Sequence, residues 1–223
     1  MQIQDIYDQY TIPPILQKHM YTVAALGTHI ASSVKEMSLG IEKDVITEAL
    51  LLHDMGNIVK FDLSRPGLLK EDELDYWRNI QAQFVKKYGK GDHDATILVL
   101  RELGVSNMII HFMELSKSIE AALSAIERDM NFAIMFYADF RVGPYGILSL
   151  DARIDDLLVR YKDRVEHFWS QEEKAEQMRT TMKKVEAKLQ KHCSISVKDI
   201  EDADVAFILT ALSSYPIGLN QES

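Results

Sequence analysis

The sequence predicts an all-α fold, and three observations support this prediction. Apolar residues recur at steps of three or four along most of the 223-residue chain, as they do in amphipathic helices. Only five prolines and ten glycines are present, which is few for a protein built from many short strands and turns. Hydrophobic residues make up 47% and charged residues 26%, which is ordinary globular composition, so wholesale disorder is not expected.

The first two predicted helices cover residues 15–37 and 42–53. Pro13 and Pro14 precede the first helix, where a helix start tolerates proline, and Gly40 suits a C-terminal cap. The second helix ends in the consecutive apolar residues Leu50-Leu51-Leu52, which predicts burial on most of its sides.

The middle of the chain predicts further helices separated by turn residues. A loop is expected at residues 61–67, because residues 64–67 (Ser-Arg-Pro-Gly) have turn chemistry. Helices are expected at residues 71–88 and 92–103, divided by Gly89-Lys90-Gly91. Ser106 and Ser118 are suitable N-caps for two more.

The remainder contains a long apolar segment at residues 119–141 and then a change in character. Residues 151–191 are rich in charge, with a narrow apolar seam that suits one long helix. The seam predicts either an arm packed on the bundle or a contact in a homodimer. Ser196 with Asp199 resembles a capping box for a last helix that extends to Leu212.

Charge and cysteine content exclude several classes of function. The net charge is −9, so phosphate backbones repel the chain and polynucleotide binding is not expected. Cys193 is the single cysteine, which excludes an internal disulfide and a multi-cysteine zinc site. Neither a signal peptide nor a membrane-spanning apolar stretch is visible, so a cytoplasmic protein without membrane contact is expected.

The residues with the clearest chemical meaning are His53 and Asp54, which follow the apolar end of a predicted helix. An imidazole and a carboxylate can share one cation if the helix end turns both side chains inward. The run Leu51-Leu52-His53-Asp54-Met55-Gly56 resembles the signature of the HD-domain superfamily of metal-dependent phosphohydrolases, in its HDIG-like subgroup.

The resemblance implies an HD-type helical bundle and a set of four metal ligands. That family orders its ligands as a helical His, then His-Asp, then a distant Asp on a late helix. His19, 34 residues before His53, matches the first position, and Asp139 in Tyr137-Ala138-Asp139-Phe140-Arg141 matches the last. The resemblance covers residues 16–160 and leaves the C-terminal arm unexplained.

Each of these residues also has a purely structural interpretation. His19 could be an ordinary helix histidine, and His53 with Asp54 could simply end a helix favourably. A buried carboxylate at Asp139 needs either a metal or a basic partner, for which Arg141 and Arg128 are candidates.

Two imidazoles and two carboxylates suit a divalent cation such as Mn, Fe, Co, Ni, Zn or Mg. Such a cation can polarise a phosphoryl group and lower the pKa of a bound water molecule. Asp54 has two oxygens and could also bridge a second metal. His93 resembles the first of two extra histidines found in some HD proteins, but no histidine stands near Lys117 or Ser118 to match the second. One firmly held metal is therefore expected, with His93 positioning water or completing a looser site.

Two cations near the motif are candidates for binding substrate phosphate. Lys60 follows the His-Asp pair closely, and Arg141 follows Asp139 by two residues. Both could equally serve as structural ion-pair partners. The predicted catalytic residues are Asp54, His93, Lys60 and Arg141.

The predicted organisation is a metal-binding helical domain at residues 1–150 and a helical extension at residues 151–223, packed on that domain or on a partner subunit. The predicted function is metal-dependent hydrolysis of a small phosphate ester or anhydride, such as a nucleotide. The alternatives are a non-catalytic regulatory module that binds a metal or ligand, and a di-iron oxygenase of the HD type.

Overall fold

The computed structural model describes residues 1–63, 70–163 and 168–220. The predicted turn at residues 64–67 lies outside these ranges. Within them the chain forms eleven α-helices and one β-hairpin whose two strands have two residues each, so the all-α prediction is confirmed.

The described α-helices are numbered in chain order. They are α1 (Ile3–Gln9), α2 (Pro14–Ser33), α3 (Lys43–Leu52), α4 (Leu74–Tyr88), α5 (Asp92–Leu103), α6 (Asn107–Ser116), α7 (Ile119–Arg128), α8 (Met130–Arg141), α9 (Leu150–Tyr161), α10 (Glu172–His192) and α11 (Asp202–Leu212). Strands β1 (Val142–Gly143) and β2 (Gly146–Ile147) pair antiparallel, with Val142 opposite Ile147. Short 3-10 turns lie at Met37–Leu39, Asn57–Lys60, Glu71–Glu73, Phe168–Ser170 and Val197–Asp199.

Helix α2 is shorter than the sequence predicts, because it ends at Ser33 rather than near residue 37. Val34 leaves the helix in an extended conformation and forms an isolated β-bridge with Cys193. Gly40, with φ +60°, ends the 3-10 turn Met37–Leu39 instead of capping α2. A partner distant in sequence therefore decides where this helix stops.

The long apolar segment at residues 119–141 is two helices, α7 and α8. Asp129 separates them, and its carboxylate accepts hydrogen bonds from the backbone N–H groups of Asn131 (2.8 Å) and Phe132 (3.3 Å). This carboxylate caps α8 and satisfies two of the N–H groups that the first turn leaves unpaired.

The prediction of one long helix at residues 151–191 is wrong, since α9 and α10 are separate elements. The aromatic ring of Trp169 packs on Phe140 between them, with ring centroids 5.8 Å apart. Arg179 of α10 forms ion pairs with Asp151 and Asp155 of α9, which hold the two helices side by side.

The predicted capping box of the last helix is also misplaced. The Ser196 hydroxyl does donate to Asp199 (2.6 Å), but it does so at a 3-10 turn. Helix α11 begins at Asp202, and the Asp204 carboxylate accepts from the backbone N–H of Glu201 (2.9 Å).

Helix α2 lies at the centre of the molecule, against α3, α8 and α11. Gly27 permits the close approach of α3, because a Cβ atom there would lie 2.2 Å from Cδ1 of Leu50. All five residues of the predicted apolar seam of α10 are buried. Met178, Met182, Val185 and Leu189 belong to the same core as α2 and α3, and Ala175 is buried outside it. The C-terminal extension thus packs on its own chain.

Crossing a membrane requires a helix that is both long and strongly apolar, and none of the described helices meets this requirement.

Candidate metal centre

The structure brings together the four predicted ligands from three separate parts of the chain. His19 lies on α2, His53 and Asp54 follow the end of α3, and Asp139 lies near the end of α8. Oδ1 of Asp139 is 3.3 Å from Nε2 of both histidines. Oδ2 of Asp54 is 3.7 Å from the same two nitrogens. The two imidazole rings face one another between these carboxylates, with centroids 5.4 Å apart.

The turn that carries His53 and Asp54 is fixed against the start of α5. The backbone N–H of Gly56 donates to the Thr96 hydroxyl (2.9 Å). A Cβ atom on Gly56 would lie only 2.4 Å from the backbone nitrogen of Thr96. The absence of a side chain at Gly56 therefore allows the His-Asp turn to touch α5, the helix that carries His93.

His53 is held in the orientation that a metal ligand needs. Its Nδ1 lies 2.7 Å from the carbonyl oxygen of Leu50, so Nδ1–H donates to this oxygen and the lone pair of Nε2 is left for a cation. Nε2 is buried 3.3 Å from Oδ1 of Asp139, and no well-aligned hydrogen bond to it is found among the described residues. A proton directed at Asp139 or a metal ion would satisfy this nitrogen.

The charges of the centre are strongly coupled. Burial lowers the pKa of His53, but the carboxylates of Asp54 and Asp139 outweigh burial and raise this pKa to about 9. Burial raises the pKa of Asp139, but the imidazoles of His53 and His19 outweigh it and hold this pKa well below its usual value. In the absence of a cation, an imidazolium proton thus supplies positive charge between the two carboxylates.

The donor set fits a divalent cation. His19, His53 and Asp54 offer three ligand atoms within 4.8 Å of one another, and Asp139 lies against both histidines. Two imidazole nitrogens with carboxylate oxygens suit borderline cations such as Zn, Fe, Co, Ni and Mn better than a cation that prefers oxygen alone.

Two cavities open beside the centre, and Asp54 lines both of them. The smaller cavity, of about 150 Å³, contains His53, His93 and Asp139 together with apolar residues that include Phe132 and Phe136. The larger cavity, of about 440 Å³, contains His19 and is within the usual size range of ligand sites.

His93 lies beside the candidate centre. It is the second residue of α5 and lines the smaller cavity with His53 and Asp54. On α6 the same cavity is lined by Met113 and Ser116, which are weak ligands for a divalent cation.

The two predicted phosphate-binding cations are engaged elsewhere. Lys60 is paired with Asp92 (2.5 Å) and lines neither cavity. Arg141 is 1% exposed, and its guanidinium donates to the carbonyl oxygens of Leu148, Val197 and Ile200. The prediction that Arg141 clamps substrate is wrong, because its side chain points from α8 into the core and takes the alternative, structural role.

Sequence reasoning missed three cations in the wall of the larger cavity. They are Lys18, on α2 beside His19, and Arg153 and Arg160 on α9. The two arginines stand seven residues apart, with Asp156 between them, and this spacing places them on one face of a helix. That spacing is the signal that could have found them.

Comparisons with protein-family models, with curated proteins and with solved structures found no match.

Proposed function

We propose that the protein is a metal-dependent phosphohydrolase of the HD type that acts on a small phosphate ester or anhydride. The observation that carries this proposal is the convergence of four residues on one point beside two cavities. These residues are His19, His53, Asp54 and Asp139, and they span 121 positions of the chain. The packing of a helical bundle does not by itself require two imidazoles to lie against two carboxylates.

The four residues would hold a single divalent cation. Such a cation supplies positive charge that polarises a phosphoryl group and lowers the pKa of a water molecule. Its two charges would replace the proton on His53, so the two carboxylates stay compensated and the imidazoles can be neutral ligands.

The surrounding residues have distinct roles in this proposal. Asp54 lines both cavities, so its carboxylate is placed to accept a hydrogen bond from the attacking water and to orient it. His93 faces His53 and Asp139 from α5 and would donate a proton to the departing oxygen. The carbonyl of Leu50 keeps the His53 ring in the required tautomer.

The substrate is proposed to be small, such as a nucleotide. The larger cavity of about 440 Å³ can take one compact molecule, and the net charge of −9 disfavours a polynucleotide.

The test combines metal analysis with turnover. Purified protein is assayed on a panel of phosphate esters and anhydrides with Mn, Fe, Co, Ni, Zn or Mg, with and without a chelator. His53→Ala should lower metal affinity by more than about 100-fold, since loss of even an outer partner of a ligand costs 10–100-fold, and should abolish turnover.

His29→Ala is the matched control, because His29 lies on α2 with His19 but outside both cavities. It should retain metal and turnover. Metal binding through His53 without hydrolysis of any compound in the panel would instead indicate the regulatory module, and oxygen uptake with ferrous iron would indicate the oxygenase. Normal metal content in His53→Ala would refute the centre itself.

A further inference from the structure

The lining of the larger cavity combines two kinds of chemistry. His19 and Asp54 of the candidate metal centre line it together with three cations, Lys18, Arg153 and Arg160. Asp202 also lines the cavity, and its carboxylate accepts from the backbone N–H of Ile147 (3.1 Å). Positive charge therefore collects beside the centre in a chain that is acidic overall.

The two arginines are held in place by one shared carboxylate. Nη1 of Arg153 and Nη2 of Arg160 each lie 2.5 Å from Oδ2 of Asp156, and Nε of Arg153 donates to the carbonyl of Phe140 (3.2 Å). Both side chains are mostly buried, with 14% and 21% exposed. Both guanidiniums hydrogen-bond to the one Asp156 carboxylate, so each keeps N–H donors that this carboxylate does not occupy.

The two arginines line the same cavity as His19 and Asp54 of the centre. Burial and the neighbouring Arg160 lower the pKa of Arg153, while the carboxylates of Asp139 and Asp156 raise it. Two like charges confined together in a cavity wall are costly unless an anion compensates them. Guanidiniums are also the cations best suited to bind phosphate through paired N–H donors.

We propose that Arg153, Arg160 and Lys18 form an anion subsite beside the metal centre, and that the substrate is a phosphoanhydride or another compound with a second phosphate. One phosphate would lie at the metal ligands, where the reaction occurs, and the second would lie against the guanidiniums. This inference rests on the proposed function. It also gives the C-terminal extension a role, because α9 supplies both arginines to the site.

The inference is tested by binding, with inorganic phosphate and inorganic pyrophosphate as probes. Isothermal titration calorimetry measures both anions on the full chain, with and without the bound cation, after subtraction of the heat of mixing pyrophosphate with the cation alone. In the unmodified protein, pyrophosphate should bind at least about tenfold more tightly than phosphate, because a second charged group adds charge-assisted hydrogen bonds.

Variants of the cationic wall should remove this preference selectively. Arg160→Gln should weaken pyrophosphate about 10-fold to 100-fold and leave phosphate affinity within about twofold. Lys18→Gln, which changes an exposed side chain, should weaken pyrophosphate only about 2-fold to 5-fold. Arg160→Lys should restore part of the preference. Because Lys18 and Arg160 lie on different helices, the test stands even if one variant folds poorly.

Arg179→Gln is the matched control. Arg179 pairs with Asp151 and Asp155 of the same helix α9, but it lines neither cavity. It should leave the affinity of both anions unchanged.

The outcomes separate this inference from the proposed function. If the cation binds through His53 but pyrophosphate and phosphate bind equally, or if Arg160→Gln and Lys18→Gln leave the preference intact, the anion subsite is refuted and the hydrolase proposal is not. If no cation binds through His53, the proposed function fails, and the titration without cation still reports whether Arg160 discriminates pyrophosphate from phosphate.

Discussion

The contact between the His-Asp turn and α5 can be tested by one added methyl group, in Gly56→Ala. Gly56 has φ −93° and ψ −5°, a conformation that alanine adopts without backbone strain. The substitution therefore tests space alone. The new Cβ would lie 2.4 Å from the Thr96 nitrogen, 2.6 Å from the Asp92 carbonyl oxygen and 2.7 Å from Cβ of Ala95.

The expected cost follows from these three distances. Two of the three atoms belong to the backbone of α5, so no side chain can rotate away and the helix itself has to shift. Overpacking of this kind costs about 1–3 kcal/mol. Weakening the hydrogen bond from Gly56 N–H to Thr96 adds about 0.5–1.5 kcal/mol. We expect Gly56→Ala to lower the free energy of unfolding by about 2–4 kcal/mol and to displace His93.

Urea unfolding of the metal-free protein measures this loss, and turnover measures the displacement of His93. Gly91→Ala is the control at the start of the same helix, because its Cβ would meet only the Asp94 side chain, at 3.2 Å. We expect Gly91→Ala to change stability by less than about 0.5 kcal/mol. Equal stabilities of the two variants would show that the turn and α5 are not in tight contact.

Three further predictions concern charge and metal content. In the metal-free protein the pKa of His53 is raised from 6.5 to about 9, so its stabilisation is complete below pH 6.5 and is lost as the pH rises through 9. Urea unfolding with chelator should show a loss of about 3 kcal/mol over this interval, and His53→Gln should abolish it. Arg141→Met leaves buried carbonyl oxygens without a donor, so it should lower the free energy of unfolding by about 3–5 kcal/mol. The protein that remains folded should keep its metal affinity. Elemental analysis should find one metal per chain. His93→Ala should keep this metal but slow turnover. His111 is exposed and lies outside both cavities, so His111→Ala should change neither metal content nor turnover.

Helix starts that depend on one local side chain were predictable from the sequence. Ser106 and Ser118 both act as N-caps, accepting from the backbone N–H groups of Ile109 (3.4 Å) and Ala121 (3.3 Å). A cap involves residues three apart, so the sequence contains the whole interaction.

Helix ends that depend on distant partners were not predictable in this way. The end of α2 is set by the bridge between Val34 and Cys193, and the periodicity of residues 15–37 contains no sign of it. The division between α7 and α8 lies between these two cases. Asp129 is a local cap, but it stands within a long apolar run that predicts one continuous helix.

The candidate ligands were predictable because a metal restricts residue type. His19, His53, Asp54 and Asp139 were found from a family resemblance that depends on histidine and aspartate in a fixed order. The cations that line the cavity follow no fixed order in the sequence, because an arginine on any element beside the cavity can supply the positive charge. Arg153 and Arg160 therefore became visible only when the position of α9 was known.

Arg141 and Arg153 show why nearness in sequence is a poor guide to the electrostatics of this site. Two residues along a helix correspond to a rotation of about 200°, so a side chain that follows Asp139 by two points away from whatever Asp139 faces. Arg141 instead donates to Tyr137 (2.6 Å) and to the carbonyl oxygens of Val197 (3.2 Å) and Ile200 (3.1 Å), which ties α8 to the C-terminal extension. Helix α9 of the same extension places Arg153 in the lining of the larger cavity. The residue nearest in sequence thus anchors the helix that presents Asp139, and a residue from the next helix supplies the charge beside it.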